Sequence, residues 1–346
     1  MINICPGVDG IAGRHNYLSS PRTPPAGRGT PSEIATEAHT PVAIGLSAFR
    51  RARLAQVIPG FEYQTVETSG AKIHVAVAGE GPPVLLIHGY PQTHTMWHAV
   101  APALTATHTV VCPDLRGYGQ SSKPPGDPEH VLYSKRALAL DMVEVMSDLG
   151  FARFGLVGHD RGGRVAHRLA LDHPHATTCV TFLDIVPTLD VFENVDKSVA
   201  MGTYHWFFLS QPYDLPERMI GADPGFFLRW HLRAWSGGTD AFFSPDALDE
   251  YERAFSDPAT IHASCEDYRA GATIDLEHDA ADRDSKIECP VLVLWGARSK
   301  AGDLREVWRS RAKNVRGESL DAGHFLAEEL PADVSDRLAA FLVEDA

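Results

Sequence analysis

The segment Gly158-His159-Asp160-Arg161-Gly162-Gly163 carries the chain's clearest arrangement for chemistry. It lies between the apolar run FGLVG and the helical pattern RVAHRLALDH, and its small residues permit the sharp strand-to-helix turn that lifts a nucleophile above a sheet. Asp160 stands in the nucleophile's place. An aspartate ahead of a helix could also be a simple N-cap, but the glycines around it after a buried strand favour the nucleophile. A carboxylate that attacks carbon forms an alkyl ester, which water must then cleave. Halide or an epoxide oxygen suits this route as leaving group, whereas peptides and ordinary esters do not.

Hydrolysis of such an ester needs a general base, and His324 in Asp-Ala-Gly-His-Phe follows the last strand pattern, where a strand-helix fold of this order places it. The base needs an orienting acid. The stretch after PVLVLWG offers no carboxylate before Asp303, so Asp184, at the end of CVTFLDI, is preferred over Asp303. Backbone N–H groups of Tyr90, in His88-Gly89-Tyr90-Pro91, and of Arg161 are the expected donors to an ester oxyanion. Arg161 and Arg164 fall in the first turn after the nucleophile. Their planar forks could grip a substrate carboxylate while lowering the pKa of Asp160.

These residues need a sheet to hold them. From Phe61 onward, strand patterns (FEYQTVET, KIHVAVAG, PVLLI, HTVVCP) give way to the helix SKRALALDMVEVMSDLG, the strand FGLVG, a helix and the strand CVTFLDI. That alternation predicts an α/β fold with a mostly parallel central sheet flanked by helices. After Pro187 the alternation stops. Aromatic, helix-like segments (YHWFFL, GFFLRWHLRAW, DALDEYERAF, EDYRAG) run until PVLVLWG resumes the sheet, which predicts an inserted helical cap. The expected divisions are an extension rich in Gly, Pro, Ser and Thr over 1–55, a first core part over 56–186, the cap over 187–285, and a last core part over 286–346. The extension is expected to be mostly disordered.

With 346 residues, 44% of them apolar and 22% charged, the chain can bury a large core. A formal charge of −14 disfavours nucleic acid and anionic membranes as partners, so an anionic substrate needs locally placed arginines. The five cysteines, Cys5, Cys112, Cys179, Cys265 and Cys289, are scattered and lack metal or disulfide spacing. No segment reads as a membrane span or export signal, and a cytoplasmic protein with reduced thiols is expected.

From about Pro59 to the end the chain resembles the fluoroacetate (haloacetate) dehalogenases, a branch of the α/β-hydrolase superfamily. The matching segments include HGYPQTHTMW, DLRGYGQSSKP, LVGHDRGGRVAHRLALDHP, FLDIVPT, YHWFFLSQP, CEDYRAG and AGHFLAEE. The resemblance implies the α/β-hydrolase fold, with Asp160 as nucleophile, Asp184 as acid, His324 as base, and Arg161 with Arg164 on the substrate carboxylate. It also implies a halide pocket of His205, Trp206 and Tyr268, a homodimer, and no metal or organic cofactor. Tyr204, Tyr213 and Trp235 are rival cap donors.

The expected function is therefore hydrolytic dehalogenation of a small-molecule haloacid such as fluoroacetate or chloroacetate, with halogen preference left open. An epoxide hydrolase is the alternative, with Tyr204 or Tyr213 pairing with Tyr268 to protonate the opening oxygen. A ligand-binding receptor that has lost turnover is a third, disfavoured by the intact nucleophile, acid and base.

Overall fold

Strands β5 (Phe154–His159) and β7 (Val291–Gly296) are buried at every position, the pattern of central strands covered by helices on both faces. At the edge, β1 (Glu62–Glu67) buries only one of its six residues. The computed structural model describes residues 58–299 and 302–345. The expected extension over 1–55 lies outside the described residues.

Eight strands form one sheet in the order β1-β2-β4-β3-β5-β6-β7-β8, with β2 at Lys72–Ala78, β3 at Pro83–Ile87, β4 at Thr109–Pro113, β6 at Thr177–Leu183 and β8 at Val315–Leu320. The β1–β2 and β2–β4 pairs are antiparallel, and every other pair is parallel. The strand order reverses around β3, β4 and β5. In open α/β sheets the crevice beyond the carboxyl ends of the strands, near such a reversal, is where ligands bind.

Helices occupy the connection between β6 and β7, from Thr188–Glu193 through Tyr204–Leu209, Pro224–Trp235 and Pro258–Gly271 to Ile274–Ala281. Side-chain and backbone capping starts several of them. Ser244 accepts from Ala247 N–H ahead of Pro245–Phe255, and Asp257 accepts from Ala259 N–H ahead of Pro258–Gly271. Both helices begin with proline, whose missing N–H costs nothing in the first turn. These helices, called the cap below, bring aromatic side chains against Tyr90, just beyond β3. The four described cysteines are free, and no described helix is long and apolar enough to cross a membrane.

Candidate active site

Asp160 follows the last residue of β5 with φ of +47°, a left-handed backbone that a residue with a side chain rarely adopts. Asp184, just beyond β6, shares this feature at +49°. Such conformations cost of the order of 1–3 kcal/mol each and persist where the surroundings enforce them. Glycine makes the turn at Asp160 possible: a Cβ on Gly162 would lie 2.2 Å from the His88 carbonyl oxygen, and one on Gly158 2.6 Å from that of Gly162.

The turn delivers the Asp160 carboxylate to two groups. Tyr90 N–H donates to Oδ1 at 2.8 Å, and Nε2 of His324 lies 3.8 Å from Oδ2. His324 Nδ1 bonds Asp184 Oδ2 at 2.8 Å, while Asp184 Oδ1 accepts from Gly296 N–H at 3.0 Å. With Nδ1–H given to the carboxylate, Nε2 is left as the basic nitrogen facing Asp160. Asp303 does not approach this group. It caps the helix Leu304–Arg311 and pairs with Arg305 at the surface.

Burial by itself would raise the Asp160 pKa, but His324, His159, Arg164 and Arg161 together hold it below the usual value. Burial opposes protonation of His324, yet its hydrogen bond to Asp184 and the charges of Asp184 and Asp160 raise its pKa overall. His159 was not assigned a role from sequence. Its Nε2–H donates to the His324 carbonyl at 2.9 Å and its ring lies 4.5 Å from that of His324. Burial, then the neighbouring His324, brings His159 down to about 4, so it stays neutral while positioning the loop.

The two arginines are buried and differently held. Arg161 donates from Nε and Nη2 to both oxygens of Asp267 at 2.9 Å, and from Nη2 to its carbonyl at 2.6 Å. Its Nη1 has no partner among the described residues. Arg164 donates from Nη1 to the Val186 carbonyl, and its Nε is likewise partnerless. The expected grip by two whole forks is thus narrowed, because most of the Arg161 fork is held by Asp267. Burial, then repulsion from Arg161, lowers Arg164 to about 10, which leaves it charged at neutral pH and favours an added anion.

Asp267 is the residue that sequence reasoning missed. Buried in the helix Pro258–Gly271, it also binds Lys135 Nζ and accepts from Tyr118 O–H at 2.8 Å. The burial that opposes its charge is overcome by Arg161 and Lys135, and its pKa lies well below the usual range. Its position next to Tyr268 in EDYRAG was the only signal available. Asp267→Asn would leave two buried cations without their shared counter-charge and should cost roughly 3–5 kcal/mol of stability in denaturant unfolding. A loss below about 1 kcal/mol would mean that other groups already balance those cations.

From the cap, His205 and Trp206 of Tyr204–Leu209 and Tyr268 of Pro258–Gly271 converge on this place, and all three are buried. The Trp206 ring lies 4.4 Å from the Arg164 guanidinium and 6.3 Å from the Tyr268 ring, while Arg161 sits 4.2 Å over Tyr268. Tyr268 O–H and His205 Nδ1 have no partner among the described residues. A buried polar atom left so costs about 1–3 kcal/mol, so their collection beside two partnerless arginine nitrogens marks a ligand site. The two rival tyrosines are placed elsewhere or otherwise engaged. Tyr204 O–H donates to His231 Nε2 at 3.1 Å, since His231 Nδ1 is held by the Phe227 carbonyl at 2.8 Å, and Tyr213 is 73% exposed. Trp235 borders the site. Its ring lies 4.6 Å from His205 and 5.7 Å from His324, and its carbonyl accepts from His324 N–H at 3.0 Å.

His74, His94 and Asp114 have the spacing of metal ligands. Both oxygens of Asp114 are already bonded, Oδ1 by His94 N–H and Nδ1 and Oδ2 by Gln120 N–H, which makes the carboxylate an organiser of the loops after β3 and β4.

A family model described as the alpha/beta hydrolase fold matches residues 82–331. A fluoroacetate dehalogenase from Burkholderia sp is 49% identical over 286 residues, covering 82% of this chain and 94% of the relative. A soluble epoxide hydrolase from Corynebacterium sp. (strain C12) is 35% identical, covering 79% and 94%. Among solved structures, an α/β hydrolase from Nostoc sp PCC 7120 superposes with a TM-score of 0.81 at 52% identity, covering 83% of this chain and 99% of that one. The chain belongs to the α/β-hydrolase fold family, on the branch that includes the fluoroacetate dehalogenase.

Proposed function

We propose that this protein is a hydrolytic dehalogenase of short 2-haloacids, converting fluoroacetate or chloroacetate to glycolate and halide. The observation that carries this reading is the pair of buried, partnerless arginine nitrogens, Arg161 Nη1 and Arg164 Nε, beside a carboxylate held ionised. A neutral substrate would leave both unanswered; a carboxylate would bind both.

In the first step Asp160 Oδ2, the oxygen not held by Tyr90, forms a bond to the carbon next to the substrate carboxylate as the carbon–halogen pair leaves with the halide. His205, Trp206 and Tyr268 receive the halide. In the second step water attacks the Asp160 carbonyl carbon and gives its proton to His324 Nε2, with Asp184 holding the imidazolium. The Tyr90 amide, already directed at Oδ1, and the Arg161 amide stabilise the oxyanion. The glycolate oxygen then takes the proton from His324 as the ester C–O bond breaks, and Asp160, left as the carboxylic acid, releases its proton to solvent and returns to the carboxylate.

The test is halide release from fluoroacetate and chloroacetate, with a small epoxide as control. Halide from either acid supports the reading, whereas diol from the epoxide with no halide would sink it and favour an epoxide hydrolase. Arg164→Gln is expected to lower kcat/KM for the acids roughly 10- to 100-fold, the worth of a hydrogen bond to a charged group. An unchanged kcat/KM would remove Arg164 from the carboxylate site. A homodimer belongs to the same reading and is carried by the resemblance alone, and the cytoplasmic location is carried by the scattered cysteines.

A further inference from the structure

Tyr90 enters the mechanism above only through its amide, yet its side chain is fully buried and its hydroxyl has no partner among the described residues. Buried phenols nearly always find one. The bond from Tyr90 N–H to Asp160 fixes the residue beside the nucleophile, and from there the ring runs into the cap. It packs edge-on to Tyr268 at 5.3 Å, stacks on His205 at 6.5 Å, and lies 6.3 Å from Trp235. Two of these neighbours, Tyr268 and His205, also carry polar atoms without a partner among the described residues. One patch of aromatic wall therefore holds three such polar atoms.

We propose that the Tyr90 hydroxyl is a further donor to the departing halide, and that it weights the site toward fluoride. The inference rests on the dehalogenase reading. As Asp160 Oδ2 bonds to carbon, the C–F electron pair leaves with fluoride; the phenol O–H stays intact and hydrogen-bonds to the new anion. No proton is transferred. Burial, with Tyr268, Cys265, Tyr204 and Asp160 as neighbours, pushes the Tyr90 pKa up, so the group remains a donor. Fluoride gains more than chloride from such a donor, because it is smaller, holds its charge more tightly and surrenders more hydration on entering a dry site. The donor is felt mainly once charge has developed, so it acts on kcat rather than on KM.

Tyr90→Phe removes only the hydroxyl and keeps the ring and the amide. We expect kcat for fluoroacetate to fall about tenfold or more, with KM within about twofold, while chloroacetate loses far less. The thermal midpoint is expected to stay level or rise, since a partnerless buried hydroxyl is removed. An equal fall for both acids, or a lowered thermal midpoint with no change in the fluoro-to-chloro ratio, would make Tyr90 a packing residue and overturn the inference. An unchanged ratio with full activity would do the same. Halide from neither acid with the wild-type protein would defeat the dehalogenase reading and this inference together; halide from the wild type with an unaltered ratio in the variant would defeat the inference alone.

Discussion

Asp160→Asn is expected to lower halide release by a factor on the order of 10⁴ or more, because the amide is a poor nucleophile and the remaining groups act on an ester that no longer forms. The fold should survive, since Asn can still accept from Tyr90 N–H. The same mechanism makes a second, sharper statement for the unaltered protein. Water attacks the Asp160 carbonyl carbon rather than the substrate, so a single turnover in ¹⁸O water should place the label in Asp160 and not in glycolate. Label appearing first in the product would mean that water attacks the substrate directly, and would remove Asp160 from its nucleophilic role. A receptor without turnover would show neither halide nor label.

His324→Ala should separate the two halves of the reaction. Halide appears once per active site and then stops, and intact-mass measurement finds the protein heavier by one carboxymethyl group on Asp160. Steady turnover is expected to fall on the order of 10³-fold or more. Continued turnover with no trapped ester would dismiss His324 as the base. In the wild-type protein the base works only when neutral, so the rate of ester hydrolysis falls as pH drops through its pKa. Asp184 raises that pKa from the ordinary 6.5, which moves the acidic limb of the profile upward. Asp184→Asn removes the opposing charge, lets burial dominate, and should shift the limb to lower pH while slowing turnover.

The parts of this site that were legible in the sequence are those whose chemistry is coupled to a backbone requirement. Asp160 sits among glycines because the turn that presents it admits no side chains at Gly158 and Gly162, and that constraint is written in the residues themselves. Asp184 and His324 could be anticipated because each follows a strand of recognisable pattern. The central strands, buried on both faces, read as unbroken apolar runs and located the sheet well. Asp267 was not legible. In the helix Pro258–Gly271 both Glu266 and Asp267 are buried, and only the packing of that helix turns Asp267 toward Arg161 and Lys135 while Glu266 meets Arg269. The tyrosines posed the same difficulty. Tyr204, Tyr213 and Tyr268 are equivalent as cap residues in a string of letters, but one is bonded to His231, one lies at the surface and one packs against Tyr90 beside Asp160. Tyr90 was noticed for its position beside a turn, which says nothing of where its hydroxyl goes.

The bond between His324 N–H and the Trp235 carbonyl ties the cap to the loop after β8. Trp235 ends the cap helix Pro224–Trp235, so its carbonyl has no acceptor role within that helix and accepts a hydrogen bond from His324 N–H instead. Raising that end of the roof would pull on the same backbone that aims Nε2 at Asp160. The place of the cap and the aim of Nε2 are therefore coupled through this one hydrogen bond.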